Sequence, residues 1–152
     1  MAAYSRAKRG QYHPINKEKY KGDINGIVFR SSLEFRFMRY CDMSDDVAFW
    51  ASEELIIKYL SPKDGKVHRY FTDFVVWFAN GTKWIVEIKP DSQTKVPKTT
   101  ARQRPKTIRE AHVTFHVNQA KWAAAKHFAA ERGYEFRVIT EKELNRGHFL
   151  PR

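Results

Sequence analysis

The chain has 152 residues, with 28 Lys and Arg against 17 Asp and Glu, a formal net charge of +11, and 42% apolar residues. That length suits one domain burying roughly 70% of its unfolded surface, and the apolar content excludes a disordered chain. A single cysteine, Cys41, excludes an internal disulfide framework, no Cys/His zinc pattern is present, and no apolar run reaches the ~18 residues of a membrane span.

Residues 1–22 carry Arg6, Lys8, Arg9, Lys17, Lys19 and Lys21 against one acid, Glu18, with Tyr4, Tyr12 and Tyr20 interleaved. There is little periodicity and no apolar core of a signal peptide. We expect a basic N-terminal arm over 1–28, lying on something else, in a protein that works or is assembled inside a cell. Ser31 followed by Glu34 has capping-box spacing and opens a helix. Leu33, Phe37 and Cys41 share one face of it, with Met38 beside them, and it ends near Met43. Residues 49–60 read as one strand and 61–66, with Pro62 and Gly65, as a turn. Residues 68–78 and 83–89 form the arms of a hairpin around Ala79-Asn80-Gly81. With Gly81 left-handed in a three-residue loop, Phe78 faces Thr82, Val75 faces Ile85 and Asp73 faces Glu87; a two-residue loop would shift this pairing by one.

After Pro90 the pattern lapses until about residue 112, which predicts a basic loop over 90–112. Within it Lys95, Lys98, Arg102, Arg104, Lys106 and Arg109 stand together without an acid from 93 to 109. They are candidate contacts to the backbone of double-stranded DNA; a solvated loop and a protein-contact surface are the alternatives. Asn118 suits the N-cap of an alanine-rich helix that stops at Gly133. A strand follows at 134–139, and Thr140 with Glu143 opens a short last helix. The order helix, three strands, helix, strand, helix predicts a single α/β (α+β) domain over 29–152, a central mixed sheet flanked by helices.

Asp73, Glu87 and Lys89 stand in strands otherwise built for burial. Opposed side chains lie about 5 Å apart on one face, and Lys89, two residues past Glu87, points the same way. Carboxylates so placed need a shared proton, cationic partners or a metal ion. One reading is an ion-pair cluster with Lys89 at the sheet's end. The other is Mg²⁺ (or Mn²⁺), which prefers hard oxygens; Asp73, Glu87 and the Ile88 carbonyl supply them. Such an ion activates water and neutralises a scissile phosphate, with Lys89 placed to orient the water or stabilise transition-state charge. Together with a basic surface this fits a nuclease. Arg30, ahead of the first helix, and Lys121, early in the second, are candidate phosphate contacts, each with a solvated cation as its alternative. Glu53 is a lesser candidate near the site. His112 and His116 are four apart, but no third ligand accompanies them.

Asp73 followed by Glu87-Ile88-Lys89 on a hairpin resembles the D…(D/E)xK signature of the PD-(D/E)xK nucleases, with Thr72 in place of the proline. FRSSLE (29–34) resembles the helix that carries an additional acidic residue in the TnsA-like branch of that superfamily. On this resemblance Glu34 joins Asp73, Glu87 and Lys89 as a catalytic residue and is a further candidate metal ligand, within a restriction-endonuclease-like core. Residues 117–144 look like the following helix and strand of the group. YSRAKRG (4–10) and WASE (50–53) are similar to the head completion nucleases of T4-like phages. The likeness spans nearly the whole chain. It implies a Mg²⁺-dependent DNA endonuclease acting late in phage head assembly, before tail joining. It also implies DNA and the portal or head–tail connector proteins as partners, in the host cytoplasm or at the portal vertex, with no membrane. The alternatives are a non-catalytic head or portal completion protein on the same fold, and a TnsA-like transposon or repair endonuclease.

Overall fold

The computed structural model describes residues 9–146; Tyr4, Arg6 and Lys8 of the basic N-terminus lie outside them. The elements are β1 (Gly10–Gln11), β2 (Val28–Phe29), α1 (Ser32–Met43), β3 (Val47–Ser52), β4 (Ile56–Leu60), β5 (Val67–Phe71), β6 (Phe74–Phe78), β7 (Lys83–Ile88), α2 (Pro105–Arg132), β8 (Glu135–Ile139) and α3 (Glu141–Asn145). Four strands form a mixed sheet in the order β3-β6-β7-β8, with β7–β8 parallel and the other pairs antiparallel. The pairs β4–β5 and β1–β2 are separate two-stranded ribbons. With its flanking helices this is the expected α+β architecture.

The hairpin takes the expected register. Val75 pairs with Ile85, the Phe78 N–H donates to the Thr82 carbonyl at 2.8 Å, and Gly81 is left-handed at φ 92°. Strand alternation then divides the core. Phe74, Val76, Phe78, Trp84, Val86 and Ile88 enter one cluster with Phe37, Met38 and Cys41 of α1 and Trp50 of β3. Ile85 enters the other, with Ile57, Tyr59 and Tyr70 of the β4–β5 ribbon and Trp122, Ala125 and Ala129 of α2. The spacing of those last three is one helical stripe, and its alanines let the helix lie close.

Three expectations are corrected. The strand read at 49–60 and the arm read at 68–78 each divide in two. Glu53 turns the chain with a left-handed φ of 55°. The Glu53 N–H donates to the Asp73 carbonyl and the Thr72 N–H to the Leu55 carbonyl, both at 3.1 Å. Both strands thus leave the sheet together and continue as the ribbon that packs on α2. The second correction concerns the basic loop at 90–112. It ends at Arg104, because α2 starts at Pro105, a residue suited to the first helical position. Asn118 is therefore buried mid-helix and caps nothing. The first three turns lack an apolar stripe because their side chains do not enter the core; the buried residues of α2 begin at Asn118.

The third correction concerns the arm at 1–28. Its described part is integrated into the core, with Tyr12, Tyr20 and Ile27 buried. Buried Asp42, near the end of α1, accepts from the Tyr12 hydroxyl at 2.7 Å and from the Ile15 and Asn16 N–H groups at 2.8 Å. The Tyr20 ring meets Trp50 edge-on at 4.7 Å. Aromatics spaced without a helical or strand period leave no pattern to read, yet here they hold the segment down.

Candidate active site

The divergence of ribbon from sheet also sets the carboxylates. Asp73 lies in the gap between β5 and β6, where its Oδ2 accepts the Ile88 N–H at 2.8 Å. That bond continues the β6–β7 ladder with a side chain where a backbone carbonyl would otherwise stand. Next along β7, Glu87 is buried. Its Oε2 accepts from the Tyr70 hydroxyl at 2.5 Å, and its Oε1 lies 3.6 Å from the Lys89 ammonium. The Lys89 N–H donates to the Ile139 carbonyl at 3.0 Å, anchoring the residue to β8. Glu34 stands in the first turn of α1. Its own N–H donates to the N-cap Ser31 hydroxyl at 3.1 Å, and its Oε2 accepts the Arg30 N–H at 2.8 Å. The glutamate thus reaches one residue beyond the helix cap. The Arg30 guanidinium pairs with Glu53.

The charges are poorly balanced. Burial, then the nearby Glu87 and Glu34 carboxylates, push the Asp73 carboxyl well above the usual range, against the Ile88 N–H and the Lys89 ammonium. Burial also raises Glu34, with Glu53 and Glu87 adding to it and Arg30 opposing. The buried Tyr70 phenol is pushed far upward by burial and by Glu87, so it remains a donor. A cluster of carboxylates held apart from water favours a cation. The donors are hard oxygens, which suit Mg²⁺ or Mn²⁺. Among the described residues no three His, Cys, Asp or Glu side chains form a ready cage. Mg²⁺ needs none, since one or two carboxylates with water and phosphate oxygens usually hold it.

The structure therefore brings Glu34, Asp73, Glu87 and Lys89 into one electrostatic neighbourhood. Lys121 joins it from α2, mid-helix, with its ammonium 5.6 Å from the centre of the Tyr70 ring. Arg30 is there too, with Glu53, Glu34 and Asp73 acting on its guanidinium; the cations of 93–109 have other surroundings. Lys95 is paired with Asp91 at 3.0 Å and Lys106 with Glu110 at 3.9 Å, while Lys98, Arg102, Arg104 and Arg109 are exposed. Tyr70 is the residue that sequence reasoning misses. In one unbroken strand its parity would place it opposite Asp73 and Glu87. The break at Thr72-Asp73 reverses that parity and turns Tyr70 onto the Glu87 face. A tyrosine three residues before the aspartate was its only trace.

A restriction-type nuclease core is the class that this sheet and its carboxylate–lysine group define. Residues 44–141 match the family described as TnsA-like endonuclease N terminal. The chain is also 34% identical over 142 residues to the head completion nuclease of Enterobacteria phage T4, covering 91% of this chain and 94% of that protein. The chain belongs to the TnsA-like endonuclease family and is a nuclease of that kind. The matched range holds Asp73, Glu87 and Lys89, and Glu34 precedes it.

Proposed function

We propose that this nuclease hydrolyses phosphodiester bonds of double-stranded DNA with Mg²⁺ or Mn²⁺, late in phage head assembly and before tail joining. The observation that carries the reading is the facing of Asp73 and Glu87, the first raised by burial and then by the second, with Lys89 3.6 Å from Glu87. Asp73, Glu87 and the Ile88 carbonyl would hold the ion, with Glu34 as a further ligand. When bound, the ion supplies activation of water and neutralisation of charge on the phosphate. Lys89, already fixed to β8 and facing Glu87, stabilises negative charge that develops on the phosphate oxygens. Arg30, Lys95, Lys98, Arg102, Arg104, Lys106, Arg109 and Lys121 position the DNA backbone without reading its sequence.

The assembly role rests on the likeness to the phage T4 head completion nuclease over nearly the full length of both chains. It makes portal or head–tail connector proteins the further partners, and the host cytoplasm or the portal vertex the place of action. Among the described residues no helix is long and apolar enough to cross a membrane.

The test is cleavage of linear, circular and branched DNA by purified protein with Mg²⁺ or Mn²⁺, beside EDTA controls. Wild type should cut only with metal. Asp73→Ala, Glu87→Ala and Lys89→Ala should each lose about 100-fold or more, the scale of removing one transition-state-stabilising group. Cutting that survives Asp73→Ala overturns the site. A folded wild type that binds DNA and never cuts supports the non-catalytic head completion role instead.

A further inference from the structure

We propose that the groove between residues 92–97 and α2 is a subsite for one unpaired nucleobase, which makes the preferred substrate DNA with a single-stranded end, flap or gap. The inference rests on the nuclease reading above. The groove has a volume of about 330 Å³ and is lined by Gln93, Pro97, Glu110, Thr114, Phe115 and Asn118. That volume lies at the lower end of the roughly 300–1,000 Å³ of small-ligand sites. It suits one nucleotide and is too small for a duplex.

Asn118 carries the argument furthest. It is only 8% exposed, it lines the groove, and among the described residues its amide has no hydrogen-bond partner. The residue is buried as a whole, yet its amide atoms still touch solvent, so a ligand in the groove can reach them. Asparagine is also a poor residue for a helix interior, and here it caps nothing. Its carbonyl and amino group match the donor and acceptor edge of a base. Phe115 precedes it by three residues, hence on the same side of the helix, and offers a half-buried ring on which a base stacks.

The charges say which part of a nucleotide enters. The lysine on the wall, Lys95, is tied to Asp91 at 3.0 Å. Glu110, also on the wall, lies 3.9 Å from the Lys106 ammonium and still offers a carboxylate that accepts from an exocyclic amino group. The exposed Lys98, Arg102, Arg104 and Arg109 lie outside the lining, where they meet the sugar–phosphate chain. The groove is built on chain segments that adjoin those of the candidate active site. Asn118 is three residues before Lys121 on α2, and Lys121 lies over the Tyr70 ring whose hydroxyl binds Glu87. The 92–97 wall begins three residues after Lys89.

The experiment uses the full chain in EDTA, so that DNA is bound but not cut. Two labelled duplexes are compared, one blunt and one with a short single-stranded end carrying 2-aminopurine. Anisotropy of the label reports binding, and 2-aminopurine fluorescence reports stacking of the unpaired base. Wild type should bind the tailed DNA about tenfold more tightly than the blunt one and quench the 2-aminopurine. Phe115→Ala and Asn118→Ala should lose both the preference and the quench while keeping their affinity for blunt duplex. Equal binding of the two DNAs without quenching overturns the subsite and leaves the nuclease reading standing. Quenching that persists in both variants places the base elsewhere and overturns it too. Failure to bind either DNA overturns the subsite, and the nuclease reading then stands or falls on the cleavage test with metal.

Discussion

Asp73 shows what the site asks of one side chain. Folding raises its carboxyl above the ordinary value through burial and the facing Glu87. The native state therefore keeps a proton that the unfolded chain releases above about pH 3.9. Stability must then fall as pH rises from that value toward the native pKa, because the native state binds more protons than the unfolded one. Asp73→Asn keeps the shape and removes the loss. In EDTA the variant should melt above wild type at pH 7, with the gap closing toward pH 4, as scanning calorimetry at several pH values would show. Adding Mg²⁺ should raise only the wild-type midpoint; equal midpoints at pH 7 in EDTA would mean the carboxylates do not oppose each other. Tyr70 acts one step further out, through its 2.5 Å bond to Glu87. Tyr70→Phe should weaken Mn²⁺ binding about 10–100-fold, the usual scale for a residue that orients a ligand. Electron paramagnetic resonance titration reads that directly, and an unchanged affinity would leave Tyr70 a packing residue. Asp73, Glu87 and Lys89 are legible in sequence because a hairpin loop fixes which residues face each other. Tyr70 is not, because its parity depends on a break created by tertiary contacts.

At the scale of elements, what is local is legible. The Ser31 cap, the left-handed Gly81 and Gly133, and the capping box at Thr140 and Glu143 each need only a few neighbouring residues. The hidden elements depend on distant partners. The first turns of α2 carry charges all round because they do not rest on the core, so no helical period marks them. The ribbon's departure from the sheet is set by pairs such as Thr72 with Leu55, seventeen residues apart. The 9–28 segment is held by Asp42, which lies 26 to 30 residues from the Asn16, Ile15 and Tyr12 groups it accepts from. That dependence is testable. Asp42→Ala leaves three donors unpaired at a buried position and should cost about 3 kcal/mol or more, since hydrogen bonds to a charged group contribute about 1.5–3 each. That is a large share of a total near 5–15 kcal/mol. Urea denaturation should show a clearly lower midpoint, with protease cleavage appearing first within 9–28. An unchanged midpoint would mean the segment is a loosely attached arm after all.

For the molecule as a whole, the net charge of +11 sets how it meets DNA. The acids are unevenly placed, since Glu34, Glu53, Asp73 and Glu87 concentrate near the candidate centre while 93–109 has none. Such a field draws a polyanion toward the protein while leaving the carboxylates to a cation. The strength of that attraction has a signature that separates phosphate contact from mere solubility. Each phosphate neutralised releases counterions, so the logarithm of affinity falls with the logarithm of salt at a slope near −0.9 per contact. Arg102, Arg104 and Arg109 are exposed and have no ion-pair partner among the described residues, unlike Lys95 and Lys106. Replacing each of the three by alanine should lower the slope by about one per residue and weaken all duplex sequences alike. Lys95→Ala should do less, because its ammonium is already spent on Asp91. Anisotropy titrations of a blunt duplex from low to moderate salt decide it. A slope that stays put in the triple variant would make 93–109 a solvated face. It would move the DNA path to the other cations, among them Lys121 over the Tyr70 ring.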